Sequence, residues 1–141
     1  MMLMNIYLDI DGTIRGVQSP LEDVIEFLEY LLNTFPGQVY WLTTHCHGGV
    51  NNCYYALDFL PDDLRDRATT EIKPTNWSAM KTDAIDFSKP FVWVDDTLFD
   101  SELRVLAEHN ADEGFYKINP NSTDGVKGAL EYIKYRAAHL S

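Results

Sequence analysis

Apolar positions along the chain follow two alternating rhythms. Short, mostly apolar runs at Leu3 to Leu8, Val39 to Leu42 and Phe91 to Val94 have the length and bulk of strands covered on both faces. Between the first two, Leu21, Val24, Ile25, Leu28, Leu31 and Leu32 recur at i, i+3, i+4 and i+7, which predicts a helix with one apolar face. Ser19 is read as its N-cap, Pro20 as its first helical residue and Glu22 as the capping-box partner, and Pro36-Gly37 ends it. Residues His45 to Asn52 read as a loop. Val50, Cys53, Tyr54, Leu57 and Leu60 then predict a second helix. A third, capped by Asn76, would carry Trp77, Met80, Ala84 and Ile85 on one face. A fourth is expected over Leu98 to Asn110, and a last from about Thr123 with Val126, Leu130 and Ile133 inward. Thr69 to Ile72 and Phe115 to Ile118 add two short strands.

Strands alternating with helices of this length define an α/β protein. The expectation is a three-layer α/β/α sandwich around a mostly parallel, five-stranded sheet, with residues 1–141 forming one domain. Trp41 and Trp93 are expected in the core of the sheet, and Tyr132 and Tyr135 as partly buried packing on the last helix. Repeats, low-complexity tracts and linkers are lacking.

Composition narrows the partners. The chain has 45% hydrophobic and 13% aromatic residues, which is globular content, and a net charge of −11. Such a surface repels polyanions at long range, so nonspecific binding to nucleic acid or to an anionic membrane is disfavoured. The two cysteines, Cys46 and Cys53, form no disulfide framework, and no apolar run approaches the roughly 20 residues of a membrane span. The opening Met1-Met2-Leu3-Met4 has no basic segment and no small-residue cleavage site, so it is read as the start of the first strand. The expected location is the cytoplasm.

Candidate chemistry lies at the strand ends. The first run closes on Asp9-Ile10-Asp11-Gly12-Thr13, the second on Thr43-Thr44 and the third on Asp95-Asp96. In an extended backbone Asp9 and Asp11 point the same way. In a parallel sheet all three ends share the edge where ligands bind. One ionised carboxylate is a nucleophile, its crowded neighbour is pushed towards the protonated form and can donate a proton, and a threonine hydroxyl suits phosphoryl oxygens. The Asp95-Asp96 pair offers hard oxygen ligands of the kind Mg²⁺ takes. Each carboxylate–phosphate charge pair at about 4 Å repels by roughly 1 kcal/mol in water and about 4 kcal/mol at an effective dielectric of 20. An anionic substrate therefore needs a divalent cation and a lysine beside it.

Asp9-Ile10-Asp11-Gly12-Thr13, then Thr43 after a strand, then a lysine, then Asp95-Asp96 resembles the four ordered motifs of the haloacid dehalogenase (HAD) superfamily. The match spans about residues 3 to 100, and the order of the motifs separates it from response-regulator receivers. Trp41-Leu42-Thr43-Thr44, Trp77, the segment Pro90 to Asp96 and Gly125-Val126 narrow the resemblance to small HAD domains grouped with RNA-repair proteins. His45 stands where that group has an aromatic residue.

By this resemblance Asp9 is the nucleophile of an aspartyl-phosphate pathway, and Asp11 the general acid/base and a Mg²⁺ ligand through its carbonyl. Thr43 holds the phosphoryl group with Gly12, Thr44 and His45 beside it. Asp9, Asp11, Asp95 and Asp96 form the Mg²⁺ site, with Asp100 as an outer orienter. The motif lysine is Lys73, ahead of the third predicted helix, or else Lys81 within it. The gaps between motifs leave no room for a large cap domain, and capless members of the family act on large substrates or borrow a neighbouring subunit as lid. The expected function is a Mg²⁺-dependent phosphatase acting on a phosphorylated small molecule or macromolecular end. The alternatives are a catalytically silent phosphate- and Mg²⁺-binding module and a nucleic-acid end-processing phosphatase. His45-Cys46-His47 with Cys53 lacks a standard zinc spacing. His45 or His47 is read instead as facing the mouth of the site or lying in a solvated loop.

Overall fold

The first apolar run becomes β1 (Asn5–Leu8), flanked by β2 (Val39–Trp41) and by β4 (Phe91–Asp95). In this computed structural model, which describes residues 3–140, β3 (Lys73–Pro74) and β5 (Phe115–Lys117) form the edges. The sheet order is β3-β2-β1-β4-β5, and every pairing is parallel. Met1 and Met2, read as the start of the first strand, lie outside the described residues, and Leu3 is exposed.

Side-chain alternation along β1 assigns the two faces. Ile6 and Leu8 enter one core with Val39, Trp41, Val92 and Val94, and Tyr7 enters another with Trp93, Phe91 and Leu106. The first core is covered by α1 (Leu21–Thr34) and α5 (Gly125–Ala138), extended by α2 (Cys53–Ala56) and α3 (Asp62–Glu71). The smaller second core lies under α4 (Asp100–Glu108) and a 3-10 turn at Lys81–Ala84. These layers form the expected α/β/α sandwich, and Trp41 and Trp93 are buried in it as expected. Among the described residues no helix is long and apolar enough to cross a membrane.

Several elements differ from the sequence reading for identifiable reasons. The second predicted helix shrinks to α2, with Val50 exposed, and most of the helical structure there belongs to α3. This helix is too polar for periodicity to reveal, since only Leu64 and Ala68 are buried. Acids in its first turn and the Arg67–Glu71 pair at 2.7 Å support it instead. Thr69, Thr70 and Glu71, expected in a strand, are its last turn. The β-branched threonines are accommodated because their hydroxyls donate to the carbonyls of Arg65 and Asp66. The strand starts later, at Lys73.

The third predicted helix does not form. Thr75 donates to the Trp41 carbonyl, the Trp77 indole to the Thr43 carbonyl, and Gly48 N–H to the Trp77 carbonyl. These ties to the β2 end hold the segment open, and only Lys81–Ala84 coils. Tyr135 is exposed rather than packed.

Ser19 does not cap α1, where Pro20 is the cap residue and the capping-box partner Glu22 finds no hydroxyl. Its Oγ instead accepts from Val126 N–H at 3.1 Å, in the first turn of α5, and donates to the Ser122 carbonyl. The serine thus caps a helix more than a hundred residues away in the chain. Ser19→Ala should therefore cost about 1 kcal/mol in urea denaturation through the lost α5 cap. Glu22→Ala should stay within about 0.5 kcal/mol of wild type. The reverse ranking would restore the capping box.

Candidate active site at the sheet edge

Register brings the acids level with one another. Leu8 pairs with Val94 and with Trp41, and Asp9 N–H donates to the Val94 carbonyl at 3.1 Å. Asp9, one residue past the end of β1, and Asp95, the last residue of β4, therefore stand side by side. Asp9, Asp95 and Asp96 each bring a carboxylate oxygen within 4.8 Å of the others. Asp9 and Asp95 are buried and Asp96 is half-buried.

Lys81 completes the cluster. Its Nζ lies 2.7 Å from Asp95 Oδ2 and 3.4 Å from Asp9 Oδ1. Lys73, the first sequence candidate, points elsewhere. It is exposed on the edge strand β3, its ammonium 5.7 Å from the Tyr40 ring. The physical reason is the unfolded third helix, since the open segment swings Lys81 over the strand tips.

Burial raises the Asp95 carboxyl, with the Asp9 charge adding to it, and Lys81 opposes both; the result is a pKa pushed up to about 8. Burial also raises Asp9, against the Lys81 ammonium, the Ile10 amide and the Thr43 hydroxyl. Burial alone would lower Lys81, but the two carboxylates outweigh it and hold the ammonium above the usual lysine range.

Fixed donors orient Asp95: the Trp93 indole N–H reaches Oδ2 at 3.3 Å and Thr97 N–H reaches Oδ1 at 3.1 Å. Gly12, at φ +78°, is required by close approach. A Cβ there would lie 2.2 Å from Asp96 Oδ2. Thr43 is buried, its Oγ1 accepting from His45 N–H at 3.4 Å, whereas Thr44 lines the adjoining cavity of about 280 Å³.

Asp11 lines that cavity too, but its side chain stands apart from the trio. It is 55% exposed and held by His45 Nε2 at 2.8 Å and Arg15 Nη1 at 3.6 Å. The strand ends at Leu8, so the extended geometry that would aim both acids at one point does not reach Asp11. Asp100 is exposed at the first position of α4. His47 Nε2 bonds the Ser78 carbonyl at 2.7 Å, and the Cys46 and Cys53 sulfurs face each other at 3.5 Å. The histidines and cysteines thus take separate partners instead of gathering as metal ligands.

One member was not singled out from sequence. Glu102 is buried, its Oε2 accepting Lys81 N–H at 3.2 Å and its Oε1 accepting Phe99 N–H at 3.1 Å. It clips the lysine turn to the start of α4. It occupies the N3 position of α4, but with Phe99 rather than a hydroxyl or acidic residue at the cap the chain carries no capping signature that would have found it.

No protein-family model, curated protein or solved structure matches the chain. Fold and site together define an all-parallel α/β sandwich with a buried acid cluster at the carboxyl edge of its sheet.

The donor set fits a hard divalent cation. It consists of carboxylate oxygens alone, and three carboxylates against one ammonium leave a formal charge of −2. Titration tests this without any assay of activity. The raised carboxyl pKa values mean that the folded state holds protons the unfolded chain releases, so stability falls as pH rises from the usual carboxylate range towards about 8. The Lys81 shift acts only in the alkaline range, above this window. In EDTA the melting temperature should fall between about pH 5 and about pH 8. Mg²⁺ should recover it at the upper end. Asp95→Asn should flatten the profile and remove most of the Mg²⁺ response.

Proposed function

We propose that the protein is a divalent-cation-dependent phosphohydrolase of the HAD type, with Mg²⁺ as its cation and Asp9 as its nucleophile. The observation that carries this reading is the convergence of Asp9, Asp95 and Asp96 within 4.8 Å, with Lys81 against two of them. A buried carboxylate paired with an ammonium and flanked by two more acids is an expensive arrangement in a folding core. It is useful where a phosphoryl group must approach an anionic nucleophile.

In the proposed reaction an Asp9 oxygen attacks phosphorus, the ester P–O bond breaks, and the leaving oxygen takes a proton from Asp11. A water then attacks the aspartyl-phosphate, yielding its proton to Asp11 and returning Asp9 and inorganic phosphate. Lys81 stabilises charge on the phosphoryl oxygens, and Thr44 borders their place. Asp9, Asp95 and Asp96 would hold the cation, which would neutralise phosphate charge there.

The decisive assay is hydrolysis across a panel of phosphomonoesters with Mg²⁺ and with EDTA. Asp9→Asn should reduce turnover by at least about 10⁴-fold, and Lys81→Ala by about 10²- to 10³-fold. Lys73→Ala should leave turnover within about twofold, since its ammonium lies over the Tyr40 ring of the neighbouring strand β2. No hydrolysis of any ester by the wild type, or phosphate binding without turnover, would remove the enzyme reading.

A further inference from the structure

The cavity beside the acids has an apolar face as well. Trp77, Ala79, Met80 and Phe99 line it along with the carboxylates and Lys81. Phe99 is 65% exposed, an unusual state for a phenyl ring three residues after Asp96. Its backbone is anchored, because Phe99 N–H donates to the buried Glu102 carboxylate. The Trp77 indole is fixed by its N–H on the Thr43 carbonyl and by an edge contact with His47 at 4.8 Å between centroids. Trp77 packs one side against the second core and lines the cavity with the other, whereas Phe99 takes part in neither core.

Charge restricts what they receive. Lys81 is the single cationic side chain lining the cavity among the described residues, and Asp9 and Asp95 already engage it. A substrate with several phosphates would bring charges that nothing there receives, on a chain of net charge −11. One phosphoryl group fits the acid and lysine end, and an uncharged aromatic group fits the other.

We infer that the substrate is a phosphomonoester of an aromatic alcohol, its phosphate at the Asp9 end of the cavity and its ring against Phe99 and Trp77. This rests on the phosphohydrolase reading above and adds the class of leaving group to it. The ring gains its affinity by leaving water for an apolar, prearranged wall.

Inert phosphonates separate recognition from leaving-group reactivity. With Mg²⁺ present, calorimetry on the full chain should find benzylphosphonate bound about tenfold more tightly than methylphosphonate. In Phe99→Ala that ratio should collapse towards one, and Phe99→Leu, which keeps apolar bulk without a ring, should fall between. Equal affinities in the wild type, or a ratio untouched in Phe99→Ala, would overturn the inference. So would a 3′-phosphorylated oligonucleotide that displaces benzylphosphonate at lower concentration, which would transfer the aromatic face to base stacking. If small esters are hydrolysed with no aromatic preference in binding, only this inference falls. If no phosphonate binds and no ester is hydrolysed, the phosphohydrolase reading falls with it.

Discussion

Two carboxylates held out of water on adjacent parallel strands are the constraint around which this molecule is arranged. At about 4 Å and an effective dielectric of 20, such a pair repels by roughly 4 kcal/mol before the loss of hydration is counted. Asp9, one residue past the end of β1, and Asp95, the last residue of β4, nevertheless sit buried at the same level. One ammonium, Lys81, offsets part of that repulsion. Burial above all, with neighbouring carboxylate charge added to it, raises both carboxyl pKa values, and the cluster keeps a formal charge that a divalent cation would match.

Neighbouring structure follows from holding this cluster in place. The Trp93 indole and Thr97 amide fix Asp95, Gly12 leaves room for Asp96, and Glu102 ties the lysine turn to the start of α4. Trp93 also fills the second core with its ring, whereas the others are polar or steric devices with little to offer a hydrophobic core. The cost is borne by the cores on both faces, where α1, α5 and the large aromatic residues bury their apolar surface.

How much of this was legible in the chain depended on the kind of signal. Strands covered on both faces announce themselves as apolar runs, and α1 by its period, so the sheet and the meeting of Asp9 with Asp95 and Asp96 followed from pattern and topology. The lysine could not be placed in the same way. Its position depends on hydrogen bonds from Thr75 and Trp77 to the end of β2, which unwind a segment whose own period suggests a helix. α3 was hidden for the opposite reason, being a polar helix stabilised by its charges and by threonine back-bonds. Ser19 exposes a third blind spot, since a good capping residue next to one helix can be taken by another that is distant in sequence.

Asp11 bears most directly on the proposed chemistry. Two acids separated by one residue were expected to share a direction, but the chain turns after Leu8 and separates their surroundings. Asp9 lies buried among carboxylates beside one ammonium, while Asp11 faces water between His45 and Arg15. An arrangement that only needed to hold a cation would gain nothing from this division, since an exposed acid already occupied by two basic groups is a poor ligand. Acid–base chemistry does gain. The attacking oxygen must remain fixed and shielded, while the group that passes a proton to a leaving oxygen and later takes one from water must reach solvent. Both acids line one cavity, so a single bound ester would meet the two environments together. Under the phosphohydrolase reading, Asp9 and Asp11 would divide the roles of nucleophile and proton carrier between these two environments.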